Sequence, residues 1–240
     1  LLVIDMQNDY LWDKRKLMFS YDTEELTGNV NKAIDYYKEK DTIINDAGNI
    51  AQRVSLIKSS GNKSLFKLNG CIICGTGNNG GDGFVCAINL LKKGVGLLLF
   101  YTGAREKLSG DSFFYYNELL KIKEVFDTGE EKSFGNIRII FLENENDEAY
   151  LKELGRYLQK SDFVVDAIFG TGLHNDKIRG IGLEIISNVN QAKKIKKDLI
   201  VFAVDIPSGI DSDTGRILGE AMKADYTITF GTKKTGHVIY

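Results

Sequence analysis

From about residue 68 onward, short and almost unbroken apolar runs alternate with longer stretches in which apolar positions recur every three or four residues. The runs are "CIIC" (71–74), "VGLLLFYT" (95–102), "IRIIFL" (137–142), "DFVVDAIFG" (162–170), "LIVFAVD" (199–205) and "YTITFG" (226–231). They are rich in leucine and β-branched residues, too short for helices, and read as strands buried on both faces. The intervening periodic stretches predict helices over 81–92, 110–124, 147–159 and 183–195. Strands of this kind separated by amphipathic helices predict an α/β fold, a doubly wound, mostly parallel, Rossmann-like sheet with helices on both faces. The front of the chain reads as strand, helix, helix. "LLVID" (1–5) is an apolar run closed by Asp5, Leu26, Val30, Ile34 and Tyr37 recur at helical spacing, and a second helical pattern runs from 42 to 58.

In such sheets, ligands bind outside the carboxyl ends of the strands, so the segments after each strand are the informative ones. They are "GTGNNGGDG" (75–83), "DAIFGTGLHND" (166–176), "DIPSGID" (205–211) and "GTKKTGH" (231–237), all rich in Gly, Asn, Asp, Ser or Thr and expected to converge on one rim. Gly75, Gly77 and Gly80 fit G-x-G-x-x-G between a strand and a helix. Gly75 and Gly77 are expected to permit a tight turn with positive φ. Gly80 or Gly81 then lets the backbone approach a bulky anion where the next helix offers free N–H groups. A nicotinamide dehydrogenase would also place an acid at the end of the following strand to hold a ribose. Here that strand ends in Tyr101 and Thr102, with Glu106 late and followed by Lys107, which weighs against a bound redox cofactor.

Composition narrows the classes further. The 240 residues carry a net charge of −2, with no basic field for nucleic acid and no basic amphipathic segment for a membrane surface. No stretch approaches the ~20 apolar residues of a membrane span, and the cytoplasm is the expected compartment. The three cysteines, Cys71, Cys74 and Cys86, do not suggest a disulfide framework. Cys71 and Cys74 form C-x-x-C, but a strand points them to opposite faces, so buried structural thiols are expected. The two histidines, His174 and His237, show no metal-ligand spacing.

"NNGGDG" (78–83), "DAIFGTGL" (166–173) and "VDIPSGID" (204–211) together resemble the three signature segments of the NAD(P)H-hydrate epimerase family, the YjeF N-terminal domain, in order and after the matching strands. "NDAGNIAQ" (45–52) is similar to the family's opening helix and "ADYTITFGTKKTGH" (224–237) to its closing strand, so the resemblance covers about residues 42 to 240. It implies an enzyme, an isomerase that interconverts the R and S hydrates of NADH and NADPH (NADHX and NADPHX) in repair of nicotinamide cofactors. The glycine turn would then hold a dinucleotide as substrate. By the family's pattern the substrate site comprises Asn78, Asn79, Gly80, Gly81 and Asp82, the loop Gly170, Thr171, Gly172, Leu173, His174, Asn175 and Asp176, and Asp205. The same pattern implies a potassium ion (K+) at Asn79, Asp166 and Ser208, where oxygen ligands suit a monovalent cation. It also implies an NAD(P)H-hydrate dehydratase, fused or separate, as a functional partner, with a homo-oligomer as a further expectation. Asp205, a strand-end carboxylate, is the candidate catalytic acid/base, with turn formation in "DIPSGID" as the structural alternative. Asp82 reads as a loop-bracing acceptor, and Lys233 and Lys234 either meet a phosphate or are solvated.

The front end departs from that family. "LLVIDMQNDY" followed by "VNKAIDYYKEK" resembles the start of the isochorismatase-like cysteine hydrolases, nicotinamidases included, with Asp5 as the first-strand acid. No cysteine here has the setting of that family's nucleophile. The expected organisation is a strand-helix segment over 1–41 packed on an epimerase-like domain over 42–240. The alternatives are a non-catalytic nucleotide-binding or interaction module of the same fold, or the remnant of an amidohydrolase.

Overall fold

The computed structural model describes residues 2–4, 68–128, 135–142, 148–173, 177–230 and 232–239. The helices expected over 24–40 and 42–58, the segment 45–52, and Asp5 lie outside these residues. The described elements are β1 (Leu2–Ile4), β2 (Asn69–Cys74), α1 (Asn78–Lys92), β3 (Gly96–Tyr101), a 3-10 turn (Arg105–Lys107), α2 (Gly110–Asp127), β4 (Ile137–Phe141), α3 (Glu148–Leu158), β5 (Phe163–Ala167), α4 (Gly180–Ile195), β6 (Ile200–Val204), β7 (Tyr226–Phe230) and α5 (Gly236–Ile239). Seven strands form one sheet in the order β1-β7-β6-β5-β2-β3-β4, and every pairing is parallel. The doubly wound α/β reading therefore holds. Among the described residues, no helix is long and apolar enough to cross a membrane.

Alternation along the buried strands sorts the core into two layers. Ile72, Cys74, Leu97, Leu99 and Tyr101 face α1 and α2, through Phe84, Leu90, Leu91, Tyr116 and Leu119. Cys71, Ile73, Leu98 and Phe100 face α3 and α4, through Leu154, Leu158, Ile185, Ile186 and Val189. Cys71 and Cys74 do fall on opposite faces, and all three thiols are free and buried. Burial pushes each of them well above the ordinary thiol range. Each large aliphatic side chain sealed in this way contributes about 1.5–3 kcal/mol.

β2 is the centre of the topology. The chain passes from β2 through β3 to β4 on one side, then returns to β5 on the other side of β2 and continues to β6 and β7. The connections diverge between β2 and β5, which opens a crevice at the carboxyl ends of these two strands. β1 extends the far edge, with Leu2, Val3 and Ile4 in register with Ile228, Thr229 and Phe230.

Two local expectations are corrected. The helix after β2 was expected from Gly81 and begins at Asn78, because tertiary contacts override the low helix propensity of Asn-Asn-Gly-Gly. Asn79 sends its amide Nδ2 to Val204 O (3.2 Å), and Gly80 packs directly beneath the preceding turn. Gly75 and Gly77, moreover, do not have positive φ. The glycines that do, among the described residues, are Gly94, Gly110, Gly180, Gly209, Gly215 and Gly219, and the single non-glycine is Asp205 at +67°.

Candidate active site

The turn after β2 is held by backbone crowding. Gly75 N–H donates to Ala167 O (2.8 Å) at the end of β5. A Cβ on Gly75 would lie 1.8 Å from Ile168 O, and one on Gly80 would lie 1.9 Å from Gly75 O. Both glycines are thus required where one backbone runs against another. A Cβ on Gly77, in contrast, would meet nothing within 4 Å. No side chain caps α1 at Gly77 and its first turn carries no acid, so the helix start is open to an anionic ligand. Ser112, from α2, donates to Gly77 O (3.2 Å) and steadies the turn from behind.

Next to this turn, β5 and the loop after β6 meet at a buried carboxylate. Asp166 is fully buried. Its Oδ1 accepts from Ser208 Oγ (2.6 Å) and Ile168 N (3.3 Å), and its Oδ2 accepts from Ser208 N (2.8 Å). Burial pushes the Asp166 carboxyl up to about 6, with the hydrogen bonds from Ser208 and Ile168 opposing the rise. Ser208 Oγ in turn accepts from Phe169 N (3.0 Å). Asn79 uses its NH2 group on Val204 O, and among the described residues its amide oxygen takes no hydrogen bond. Gly170 lies against Asn79, where a Cβ would come within 3.3 Å of that amide group. A buried carboxylate, a hydroxyl and an amide oxygen therefore gather at the 166–170 segment, and among the described residues no cationic side chain is bonded to the carboxylate.

Asp205 follows β6 directly, in a left-handed conformation that non-glycine residues seldom adopt. Its Oδ1 accepts from Lys234 Nζ (2.5 Å), Thr229 Oγ1 (3.1 Å) and Phe230 N (3.5 Å). Among the described residues, Oδ2 takes no hydrogen bond. His237 Nδ1 accepts from Lys234 N (3.0 Å), so the ring proton is on Nε2, which donates to Asp205 O (2.9 Å). Burial lowers the His237 pKa, and the charge on Lys234 adds to that effect while the bond to Asp205 opposes it. Asp82 differs from its expected role: it stands in the second turn of α1 and braces no loop by hydrogen bonding among the described residues. Burial pushes its carboxyl up to about 7, with Asp205 and Asp111 adding repulsion.

These parts enclose a cavity of about 520 Å³ at the switch point, lined by Thr76, Gly77, Asn78 and Asn79, by residues 168–173, and by Asp205. Asn78, Asn79, Gly170, Thr171, Gly172, Leu173 and Asp205 thus come together. Gly80 and Gly81 lie behind the cavity wall, against Gly75 and Ser112, and His174, Asn175 and Asp176 fall outside the described residues. His237 is the participant that sequence reasoning missed, and Lys234, read as a phosphate ligand or a solvated lysine, is instead a partner of Asp205. The only signal for either role was position, just beyond the last strand on the same rim. Among the described residues, no group of three or more His, Cys, Asp or Glu side chains is placed to hold a metal ion, so any cation here depends on amide and hydroxyl oxygens as well.

The family model described as "YjeF-related protein N-terminus" matches residues 47–236. The bifunctional NAD(P)H-hydrate repair enzyme Nnr of Thermofilum pendens is 35% identical over 173 residues, which are 72% of this chain and 29% of that protein. The NAD(P)H-hydrate epimerase of Oenococcus oeni is 34% identical over 165 residues, 69% of this chain and 64% of that one. The chain thus spans less than two thirds of the length of each relative. Among solved structures, that of yeast ynu0, YNL200c, superposes with a TM-score of 0.60 at 25% identity, covering 80% of this chain and 71% of the yeast chain.

Proposed function

Because this chain belongs to the family of the YjeF-related protein N-terminus, we propose that it is an isomerase that equilibrates the R and S forms of hydrated NADH and NADPH. The observation that carries this reading is the cavity at the switch point, where an uncapped helix start meets an available carboxylate on Asp205. The open amides of α1 suit the pyrophosphate of a dinucleotide, and Asp205, which lines the same cavity, suits the hydrated ring. Substrate and product contain the same atoms, so the reaction consumes no electron donor and no co-reactant. Inversion at C6 requires either the C–O bond to break and reform or the ring to open and reclose. Each route moves a proton on or off oxygen or nitrogen, and in this reading Asp205, a carboxylate at the cavity, carries it. The names of the bifunctional NAD(P)H-hydrate repair relatives support a second proposal: this chain serves the isomerising half of a two-function repair. The direct test follows the two epimers of NADHX, separated chromatographically, with and without the protein. Equilibration at the uncatalysed rate would overturn the reading.

A potassium ion fits the oxygen shell around Asp166. That carboxylate is fully buried, among the described residues no cationic side chain is bonded to it, and the absent Cβ of Gly170 leaves room beside Asn79. Asn79, Asp166 and Ser208 would hold the ion, which would supply a positive charge to keep Asp166 ionised and tie three strand-end loops together. Thermal unfolding in potassium chloride is expected several degrees above that in tetramethylammonium chloride at equal ionic strength, a gain of about 1–3 kcal/mol by mass action. Asp166→Asn is expected to erase the difference, and identical midpoints for the unaltered protein would count against a specific ion.

A further inference from the structure

The loop after β7 folds back over the rim and commits two side chains to Asp205. Lys234 Nζ has three protons and three acceptors: Asp205 Oδ1 at 2.5 Å, Thr229 Oγ1 at 2.6 Å and Phe230 O at 2.8 Å. No donor remains for a phosphate. The threonine hydroxyl closes the ring by donating to the same Asp205 oxygen at 3.1 Å. The two charged side chains are only 18% and 11% exposed, which limits screening of the pair by solvent. The Asp205 main chain is fixed as well, with its N–H on Ile228 O (2.6 Å) and its carbonyl on His237 Nε2 (2.9 Å). His237 is itself set by the Lys234 N–H. Asp205 thus keeps its left-handed backbone, with one carboxylate oxygen saturated and the other without a partner among the described residues.

We propose that Lys234 is a positioning residue of this site: it pins Asp205 by Oδ1 so that Oδ2 is the oxygen that meets the substrate. This assignment rests on the epimerase reading above. It predicts a loss in turnover and not in binding. Lys234→Met is expected to lower kcat about 100-fold with KM within about threefold. A raised KM with kcat unchanged would instead make Lys234 a phosphate-binding residue and overturn the proposal.

Chemical rescue separates positioning from folding. In Lys234→Cys, 2-bromoethylamine adds an aminoethyl group: the thiolate displaces bromide, a C–S bond forms, and an ammonium returns at lysine's length. The three native thiols are buried and pushed up by burial, so position 234 is alkylated selectively. Aminoethylation is expected to restore at least tenfold of the lost kcat, and iodoacetamide, which adds an uncharged group, to restore none. The comparison is made on one folded preparation, checked by circular dichroism, so it stands even if Lys234→Met does not fold. Equal activity after either reagent, or full activity in Lys234→Met, overturns the role of Lys234 alone. An inactive unaltered protein overturns the epimerase reading and this role with it.

Discussion

Asp205→Asn is expected to slow equilibration of the NADHX epimers by at least about 10³-fold while dinucleotide binding stays within about tenfold. The substitution is clean for a structural reason. Asparagine is among the few residues that tolerate a φ of +67°, and its amide oxygen can still accept from Thr229 Oγ1 and Phe230 N, the bonds Asp205 makes through Oδ1. The backbone and the cavity wall are therefore retained, and the ability to take up or release a proton is lost. Alanine would be a poorer probe, since it adds backbone strain of about 1–2 kcal/mol and removes the oxygen that Lys234, Thr229 and Phe230 all bond. Chromatography of the two epimers over time measures the rate, and isothermal titration with NADH measures binding. Undiminished equilibration in the asparagine variant would remove Asp205 from the chemistry.

The three glycines of the β2–α1 turn are expected to respond very differently to alanine. Gly75→Ala and Gly80→Ala should each destabilise the protein by about 3–5 kcal/mol or prevent folding, whereas Gly77→Ala should cost under about 1 kcal/mol. The clashing atoms at Gly75 and Gly80 are backbone oxygens at 1.8 and 1.9 Å. Neither can move readily, because Ile168 follows directly on β5 and Gly75 is tied to Ala167 by its own N–H. At Gly77 a methyl group would enter the open cavity, so its effect should appear in KM. Urea unfolding of the three variants decides the matter, and a Gly77→Ala as damaging as Gly80→Ala would contradict this account of the turn.

Much of the fold was legible because buried parallel strands leave a strong mark. Runs such as "FVVDA" and "IVFAV" became β5 and β6 with boundaries close to those expected. The rim was legible too, since a doubly wound sheet requires the strand-end loops to converge. What could not be read was set by contacts between distant segments. α1 begins at Asn78 because Asn79 reaches Val204, 125 residues away. The turn glycines looked like positions for positive φ or for phosphate approach, yet Gly75 and Gly80 serve backbone crossings that no local spacing encodes. Lys234 looked like a solvated lysine or a phosphate ligand, since the pairing with Asp205 depends on how the loop after β7 folds back. Asp82 looked like a brace, and its elevated carboxyl reflects burial and the nearby charges of Asp205 and Asp111.

The position of β2 also bears on when the site comes into existence. β2, β3 and β4, with α1 and α2, are consecutive in the chain and contiguous in the sheet, so this half can assemble from local contacts while the other edge of β2 is still open. The cavity needs β5 and the end of β6 on that open edge, which means it has no floor until the second half has docked. A ligand seated there cannot stabilise the half-built sheet. Where that docking follows the rate-limiting step, the ligand acts almost wholly on the finished protein, slowing its unfolding and leaving its folding rate nearly untouched.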